Sequence, residues 1–432
     1  MIEKAPKIVF NEDLLRIIKF IQSQGKLKVL KKIEENYLYW DKIKYLNDVN
    51  FDSKKLWMAT KSIRKIQAIQ AKIHDIYYEF NITKHLQQKL HYLDHNFGAG
   101  FQKEELLSEL DKQQYLTNAL MEESIFSSMI EGATTTRVQA KDMLRKNKSP
   151  KNKSEQMILN NYETIQYISE HKTEDISIQK LYEIHRLVTK NTLAEDKIGV
   201  FRNNNDIHVM NEITGDIVHT PPNFKKLDKL MESFCDFFNN NPKDNFIHPI
   251  VKASILHFFI GYIHPFVDGN GRTARAIFYW YLLKNGYWLV EYLSISRVIM
   301  KTKIQYEKAY IYAEIDEMDI TYFIHYQTKV LTQAFEDLKK YVSQKKEEEN
   351  ELSLFYKEPN INDRQAQILF WINENENRHF SVKEIETIFS ITNQTARIDL
   401  ESLVERNILR KVHINKKTAN YWKGDEFDKI FS

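Results

Sequence analysis

Residues 264–275 read HPFVDGNGRTAR, which places a histidine, a carboxylate, two glycines and two arginines close together in the chain. Helix-like apolar stretches flank this segment on both sides, so its glycines mark a tight loop between two helices. The backbone N–H groups of Gly269, Asn270 and Gly271, at the start of the second helix, have no intrahelical acceptors, and the helix dipole adds partial positive charge there. The segment therefore predicts an anion-binding loop.

The charged residues of this segment indicate which anion would fit. Arg272 and Arg275 are three residues apart, so they share one helix face from which both can bind a polyphosphate. Asp268 would be repelled by phosphates unless a cation lay between them, and a carboxylate beside phosphate oxygens is a usual ligand of Mg²⁺. His264 can accept a proton from an incoming hydroxyl near neutral pH. These residues predict a site for a nucleoside triphosphate, with Mg²⁺ and a general base.

The order of residues in HPFVDGNGRTAR resembles the signature of the Fic family, with no substitution at a defining position. Fic proteins typically transfer AMP from ATP to a Ser, Thr or Tyr hydroxyl of a target protein. The resemblance implies that His264 is the catalytic base, that Asp268 holds Mg²⁺, that Gly269, Asn270 and Gly271 bind the α- and β-phosphates, and that Arg272 and Arg275 hold the terminal phosphates. It thus implies a protein adenylyltransferase that uses ATP and Mg²⁺ and acts on a target protein or on itself.

Two further segments extend the resemblance. Residues 198–222, IGVFRNNNDIHVMNEITGDIVHTPP, alternate apolar and polar residues around a Thr-Gly-Asp turn, which predicts a β-hairpin. This hairpin is similar to the Fic flap that covers the active site, whose edge can hold an extended target segment by strand addition; an ordinary surface hairpin is the alternative. The segment QYEKAYIYAEIDEMDITYF resembles the region that closes the adenine pocket, to which Tyr306 would contribute.

The segment SSMIEG, residues 127–132, has a pattern of its own. Ser127 and Glu131 are one helical turn apart and share a helix face. Together with Gly132 they resemble the inhibitory helix motif found ahead of the core in many Fic proteins. The resemblance implies that Glu131 pairs with Arg275 and keeps the ATP γ-phosphate from binding the same guanidinium. An ordinary contact within a helix, or a helix cap, is the alternative.

The whole chain of 432 residues contains only 11 glycines and 8 prolines, and apolar residues recur at helical spacing through most of it. This pattern predicts a mainly α-helical protein with few strands, built as a Fic core with a β-hairpin flap. We expect four parts: a helical amino-terminal domain (1–100), a Fic catalytic domain with the inhibitory helix at about 120–135 (101–345), a linker (346–362) and a small winged helix-turn-helix domain (363–432).

The carboxy-terminal domain raises the question of DNA binding. Over residues 361–432, eleven Lys and Arg residues balance eleven Asp and Glu residues, so attraction to phosphate would be weak. Dimerisation of the chain into a homodimer, or presentation of the target, is therefore favoured over DNA binding. A DNA-binding regulator whose Fic core senses nucleotide remains the alternative to an enzyme, and a Fic-fold deAMPylase is another.

Composition limits the remaining functions. The 62 Lys and Arg residues against 59 Asp and Glu residues leave a net charge of +3, which gives no broad field for nucleic acid or an acidic membrane. Cys235 is the one cysteine, so an internal disulfide and a cysteine-built zinc site are excluded. The amino terminus lacks the pattern of a secretory signal, and the apolar runs are shorter than the ~20 residues of a membrane span. We expect a cytoplasmic protein without a membrane partner.

Overall fold

The computed structural model describes residues 2–7, 15–16, 18–19, 23, 28–46, 52–99, 109–210, 214–240, 246–355, 358–375, 377–389, 391–415 and 418–431. The chain divides into two compact units, residues 1–338 and residues 339–432. Both units are mainly helical, which confirms the predicted fold class. Within the described ranges, none of the helices combines the length and the apolar character that a membrane crossing needs.

The first unit is built mainly from helices. Among the described residues they are, in chain order, α1 (Lys28–Asn36), α2 (Trp40–Ile43), α3 (Ser53–Gln67), α4 (Lys84–Asp94), α5 (Glu109–Ile130), α6 (Arg137–Arg145), α7 (Lys153–Glu170), α8 (Ile178–Thr189), α9 (Leu227–Asn239), α10 (Pro249–Ile263), α11 (Asn270–Lys284), α12 (Ile295–Lys301), α13 (Lys303–Ile315) and α14 (Thr321–Phe355), of which α14 continues past residue 338 into the second unit. Shorter helical turns are the π-helix His95–Ala99 and the 3-10 helices Glu195–Lys197, Phe224–Lys226 and Trp288–Tyr292.

The described residues of the first unit also form two antiparallel hairpins. Strands β1 (Ile69–Ile73) and β2 (Ile76–Phe80) form one, and β3 (Val209–Met210) and β4 (Ile217–His219) form the other. The second hairpin lies in the segment whose alternating pattern predicts it, so that prediction is confirmed. Its turn residues 211–213 lie outside the described residues.

Helices α10 and α11 lie at the centre of the first unit and pack directly against each other. Nearly all side chains of α10 and most of those of α11 are buried. A helix that is buried all round carries apolar residues all round, as SILHFFIGYI and AIFYWYLL do. Because the two helices are fixed in the core, the loop between them is held at both ends.

Buried charges fasten the amino-terminal helices to the segment between α13 and α14. Lys61 pairs with Asp316 at 3.0 Å and with Asp319 at 3.5 Å. Tyr37 donates a hydrogen bond of 2.7 Å to Asp319. Paired buried charges of this kind tie distant parts of a chain together, since separating them would leave charges uncompensated. The domain boundary predicted near residue 100 accordingly falls inside the first compact unit.

The second unit contains a small mixed fold. Its further elements are α15 (Asp363–Glu374), β5 (Phe380–Ser381), α16 (Val382–Phe389), α17 (Asn393–Glu405), β6 (Leu409–His413), β7 (Ala419–Lys423) and α18 (Phe427–Phe431). The strands are antiparallel in the order β5-β7-β6. The helices and the sheet enclose a core that includes Ile368, Ile385, Leu400 and Tyr421. Helix, turn, helix and a two-stranded wing follow one another as the sequence predicts.

The segment predicted as a linker, 346–362, begins as a helix. Helix α14 runs through it as far as Phe355. The sequence KKEEENEL consists mostly of Lys, Glu and Leu, which are strong helix formers, so a charged composition does not interrupt the helix here.

Candidate active site

His264 lies immediately after α10 and ends that helix in a left-handed conformation, with φ of 49°. Its Nδ1 lies 3.0 Å from the carbonyl oxygen of Gly261. Because a carbonyl oxygen can only accept, Nδ1 carries the proton and Nε2 carries the lone pair. Burial lowers the pKa of His264. The residue is therefore arranged as a neutral proton acceptor at Nε2.

Arg202 supports the loop from the side of the hairpin segment. Its Nε donates a hydrogen bond of 2.9 Å to the carbonyl oxygen of His264, and its backbone N–H donates one of 2.9 Å to Pro265. Another guanidinium nitrogen donates to the carbonyl of Pro222. Arg202 is only 3% exposed. It therefore holds the backbone on which His264 is mounted, a role that its place in the segment FRNNND does not reveal.

His185, on α8, supports the same loop from the opposite end. Its Nε2 donates a hydrogen bond of 2.9 Å to the carbonyl oxygen of Asp268, and its Nδ1 accepts one of 2.9 Å from Gly199. Its ring stacks on Phe266 with centroids 3.9 Å apart. Burial lowers the pKa of His185 to about 4, so the ring stays neutral. The role of His185 could not be recognised from the sequence, because the residue lies far from the motif along the chain.

The loop also supports itself from within. The side chain of Asn270 accepts a hydrogen bond of 2.9 Å from Phe266 N–H and donates one of 2.8 Å to the Phe266 carbonyl. Gly269 has a backbone φ of 81°, a conformation that residues other than glycine rarely adopt. The side chain of Asn270 is thus used for the shape of the loop, and its contribution to phosphate binding is left to its backbone N–H.

Asp268 is the accessible carboxylate of the loop, with its side chain 44% exposed. It accepts a hydrogen bond from the N–H of Gly269 and lies 3.6 Å from a guanidinium nitrogen of Arg272. Among the described residues, no three His, Cys, Asp or Glu side chains form a group that could hold a metal ion. A metal ion here would therefore need oxygen ligands from a bound phosphate and from water, which is how Mg²⁺ commonly binds.

The two arginines of α11 are almost completely buried, with exposures of 2% for Arg272 and 3% for Arg275. Arg272 donates a hydrogen bond of 2.8 Å to the carbonyl of Val188, while its Nε has no partner in the described part of the chain. Nη1 of Arg275 is likewise without a partner there. Buried donors are normally paired, so these free donors fit an anionic ligand such as a phosphate.

Arg275 is bound by the helix that precedes the core. Its Nε donates a hydrogen bond of 2.7 Å to the Ser127 hydroxyl, and one Nη donates to the Ser127 carbonyl at 2.9 Å. The same nitrogen donates to Glu131 Oε1 at 3.0 Å. The structure thus brings Ser127 and Glu131 of the SSMIEG motif into contact with Arg275. Gly132, with φ of 91°, terminates helix α5 directly after Glu131.

The carboxylate of Glu131 also lies against the start of α11. A side chain at Gly271 would collide with Glu131, because a Cβ there would come within 2.8 Å of the Glu131 Cδ. The amino-terminal end of α11 attracts anions. Glu131 therefore occupies space beside the predicted anion-binding loop while it pairs with Arg275.

Tyr306 lies on α13 near these residues. The Nε2 atom of His257 lies 2.9 Å from the Tyr306 hydroxyl, and the Nδ1 atom of His257 lies 3.1 Å from Nε2 of Gln327. Burial raises the pKa of Tyr306, and the positive charge of Arg275 counteracts part of that rise. Tyr306 thus belongs to a hydrogen-bonded chain next to Arg275. Its part in an adenine pocket stays a prediction.

The hairpin of β3 and β4 is fastened to the core through His219. Nδ1 of His219 lies 2.7 Å from Glu314 and Nε2 lies 2.7 Å from the carbonyl of Tyr262. The neighbouring side chains of Met210 and Ile217 are more than half exposed. The hairpin is therefore anchored at one end and exposes apolar side chains in its strands.

Comparison with known protein families identifies two parts of the chain. Residues 175–282 match the Fic/DOC family, and residues 364–414 match the DeoR-like helix-turn-helix domain. The chain therefore contains a Fic domain followed by a DeoR-like helix-turn-helix domain. The resemblance inferred from HPFVDGNGRTAR and from the carboxy-terminal sequence is confirmed.

Curated relatives share the Fic region. A protein adenylyltransferase Fic from Nematostella vectensis is 29% identical over 184 residues, which cover 41% of this chain and 41% of the relative. A protein of the same name from Drosophila willistoni is 32% identical over 165 residues, or 37% of this chain and 31% of the relative. The match thus spans less than half the length of these relatives.

A solved structure supports the fold over a longer range. The crystal structure of a Fic family protein from Desulfovibrio desulfuricans G20 superposes with a TM-score of 0.53 at 20% identity. The superposition covers 78% of this chain and 96% of the other. The similarity of fold therefore extends well beyond the residues that match the Fic/DOC family in sequence.

Proposed function

We propose that this chain is a protein adenylyltransferase that transfers AMP from ATP to a Ser, Thr or Tyr hydroxyl of a target protein or of itself. The observation that carries the proposal is the state of His264. Its Nδ1 donates to Gly261, which leaves the Nε2 lone pair as a proton acceptor beside an anion-binding loop. A protein that only senses nucleotide needs the loop but no such acceptor. The names of the curated relatives support the same class of activity.

ATP binding is supported by donors that lack protein acceptors. These are Nε of Arg272, Nη1 of Arg275 and the first N–H groups of α11, among the residues that the structure describes. Phosphate oxygens of ATP would satisfy them. Asp268 would hold Mg²⁺ together with those phosphate oxygens, and the ion would offset part of their negative charge.

The proposed reaction is a single transfer of the AMP group. The oxygen of the target hydroxyl forms a bond to the α-phosphorus, the bond from that phosphorus to the bridging oxygen of the β-phosphate breaks, and pyrophosphate leaves. The hydroxyl proton passes to Nε2 of His264. The side chains of Arg202 and His185 form hydrogen bonds to the backbone carbonyls of His264 and Asp268. These bonds keep His264 and Asp268 at fixed positions for this step.

Regulation of the same site is part of the proposal. Glu131 pairs with Arg275, and the γ-phosphate of ATP would use the same guanidinium. While Glu131 holds Arg275, ATP binds without its α-phosphate being placed for transfer. Release of Glu131 is then the activating step.

Labelled ATP tests the proposed reaction. The full chain is incubated with Mg²⁺ and with ATP labelled at the α-phosphate or at the γ-phosphate, and protein-bound label is measured after electrophoresis. We expect the α label alone to remain on protein. In the His264→Ala variant, loss of the general base should reduce labelling by roughly 10²- to 10⁴-fold while ATP binding persists. Retention of the γ label would show a kinase activity, and full labelling by His264→Ala would exclude His264 as the base.

A further inference from the structure

A cavity of about 420 Å³ lies in the first unit, on a face of α13 away from the active site. Lys308 and Tyr312 of α13 line this cavity. On the other face of α13, Tyr306 and Tyr310 contact His257 and its surroundings. The cavity is thus distinct from the site around Arg275. Its volume falls within the roughly 300 to 1,000 Å³ that is usual for small-molecule sites.

Positive charge accumulates around this cavity without matching carboxylates. Four lysines line it, namely Lys42, Lys89, Lys308 and Lys329. In the described part of the chain, no carboxylate lies within ion-pair distance of Lys89, Lys308 or Lys329, whereas Lys42 lies 3.5 Å from Asp41. The one carboxylate in the lining, that of Glu35, lies 3.6 Å from Lys31.

Lys89 shows the effect of this uncompensated charge. Burial lowers the pKa of Lys89, and the positive charge of Lys329 lowers it further. Nζ of Lys329 donates a hydrogen bond of 3.4 Å to the amide oxygen of Gln305, which is a neutral partner. Lys89 is partly buried and Lys329 is exposed, and a bound anion between the two ammonium groups would offset their repulsion.

Aromatic side chains form a large part of the remaining wall of the cavity. Five tyrosines line it: Tyr37, Tyr39, Tyr312, Tyr322 and Tyr326. Their hydroxyls already have protein partners, for example Asp319 for Tyr37 and Asp41 for Tyr312. Tyr312 is partly exposed, whereas each of the other four is at most 7% exposed, so what this wall offers to a ligand is chiefly the ring of Tyr312. Aromatic rings pack on other rings by stacking and by edge contacts, so the wall suits a planar ligand.

We propose that this cavity binds a small phosphorylated compound that carries an aromatic ring, of the size and class of a nucleoside monophosphate. The lysines bind the phosphate, and the tyrosine wall, chiefly the partly exposed ring of Tyr312, packs on the planar ring. The residues come from α2, α4, α13 and α14 and from the chain around α1, so the site exists only in the folded first unit. The proposal concerns binding and does not depend on AMP transfer at His264.

Binding of AMP to the full chain provides the test. Equilibrium dialysis with labelled AMP compares the parent with Lys89→Gln/Lys329→Gln and with a control, Lys54→Gln/Lys55→Gln. The control removes the same charge from exposed lysines of α3 that do not line the cavity. We expect the pocket variant to lose one bound AMP per chain, with affinity at that site weakened about 100-fold, because two charge-assisted contacts are removed. Equal binding by the pocket variant and the control would overturn the proposal.

Fragments of the probe test each half of the site. Ribose 5-phosphate keeps the phosphate without the ring, and adenosine keeps the ring without the phosphate. We expect each to bind at least about tenfold more weakly than AMP. If ribose 5-phosphate binds as tightly as AMP, the proposed role of the aromatic rings is wrong. If adenosine binds as tightly as AMP, the proposed role of the lysines is wrong.

A second variant and a second measurement distinguish loss of binding from loss of the folded state. Lys308→Gln changes one partly exposed lysine of the same cavity. AMP should raise the melting temperature of the parent and of the Lys54→Gln/Lys55→Gln control, since a ligand that binds only the folded state stabilises it. The rise should be smaller in Lys308→Gln. An undiminished rise in a folded Lys308→Gln variant would count against the site, whatever the activity at His264 proves to be.

Discussion

At the scale of single residues, the state of one imidazole determines when the proposed enzyme can work. His264 accepts a proton only while it is neutral. Its Nδ1–H is held by Gly261, and burial lowers its pKa below the ordinary value of 6.5. A lowered pKa keeps the ring neutral to more acidic pH than a free histidine allows.

The pH dependence of AMP transfer should therefore have its acidic limb below pH 6.5. Activity rises as His264 loses its proton and is constant above that pH as far as this residue is concerned. The measurement is the initial rate of α-label transfer at saturating ATP between pH 5 and pH 8, with Mg²⁺ constant. An acidic limb above pH 6.5 would contradict the burial effect on His264.

A second prediction at the scale of single residues concerns Glu131. Glu131→Gly frees Arg275 for the γ-phosphate, so AMP transfer should rise by roughly 5- to 150-fold, the range of ordinary coupling free energies. Self-modification in α-labelled ATP is the measurement. Because Glu131 follows the last residue of α5, the glycine costs little helix stability.

Two further variants separate this mechanism from a general effect on the fold. Glu170→Gly removes an exposed carboxylate from the end of α7 and should leave activity unchanged. Glu131→Gly combined with Arg275→Ala should lose the activation, since relief of inhibition needs the guanidinium. If Glu131→Gly is folded and no more active than the parent, Glu131 is only a residue at a helix end.

At the scale of elements, the loop between α10 and α11 was predictable because its residues are adjacent in the chain. Glycine spacing, the two flanking helices and the SSMIEG motif are local patterns. Arg202 and His185 were not predictable, because their roles depend on hydrogen bonds to the carbonyls of His264 and Asp268, which lie more than 60 residues away. The lysines that line the cavity beside α13 could not be predicted either, because they lie on separate helices that only the fold brings together.

Gly269 provides a test of the loop as an element. Gly269 and Gly286 both have left-handed backbones, with φ of 81° and 85°. A Cβ at Gly269 would lie 2.9 Å from Cγ2 of Thr189, whereas a Cβ at Gly286 has no atom within 4 Å. Gly286→Ala should therefore cost about 1 to 2 kcal/mol of folding free energy from backbone strain alone, and Gly269→Ala should cost more.

Thermal melting of the two variants side by side measures the difference. Only Gly269→Ala should also reduce AMP transfer, because its strain falls on the loop that carries Asp268. Equal melting temperatures for the two variants would mean that the contact with Thr189 relaxes freely.

At the scale of the whole molecule, the order of the domains could be predicted from the sequence better than the boundaries between them. The Fic and winged helix regions could be predicted because each has a local signature, HPFVDGNGRTAR in the first case and a helix-turn-helix pattern in the second. The boundary predicted near residue 100 falls inside the first compact unit, because Tyr37 and Lys61 contact Asp319 across more than 250 residues of sequence, and such contacts leave no local pattern. The charged run after residue 345 suggested a linker, although its composition equally suits the helix that forms there.

Removal of the second unit tests whether the proposed chemistry belongs to the first alone. The motif residues, Ser127, Glu131 and Tyr306 all lie within residues 1–338, which form one compact unit. A chain that ends after residue 350 keeps this unit whole, so we expect it to bind ATP and to transfer the α label to itself at a rate close to that of the full chain. Its Glu131→Gly form should show the same activation, because Arg275 and Glu131 are both retained.

Target choice and assembly are the properties that the truncation should change. Light scattering reports whether the second unit mediates self-association, and labelling of a cell extract reports the range of proteins modified. Retention of a rate within a few-fold of the parent, together with altered targets or subunit number, would assign those properties to the winged helix unit. A truncated chain that melts cooperatively but neither binds ATP nor carries label would contradict the division, because the site would then need residues beyond 350 that none of its observed hydrogen bonds involves.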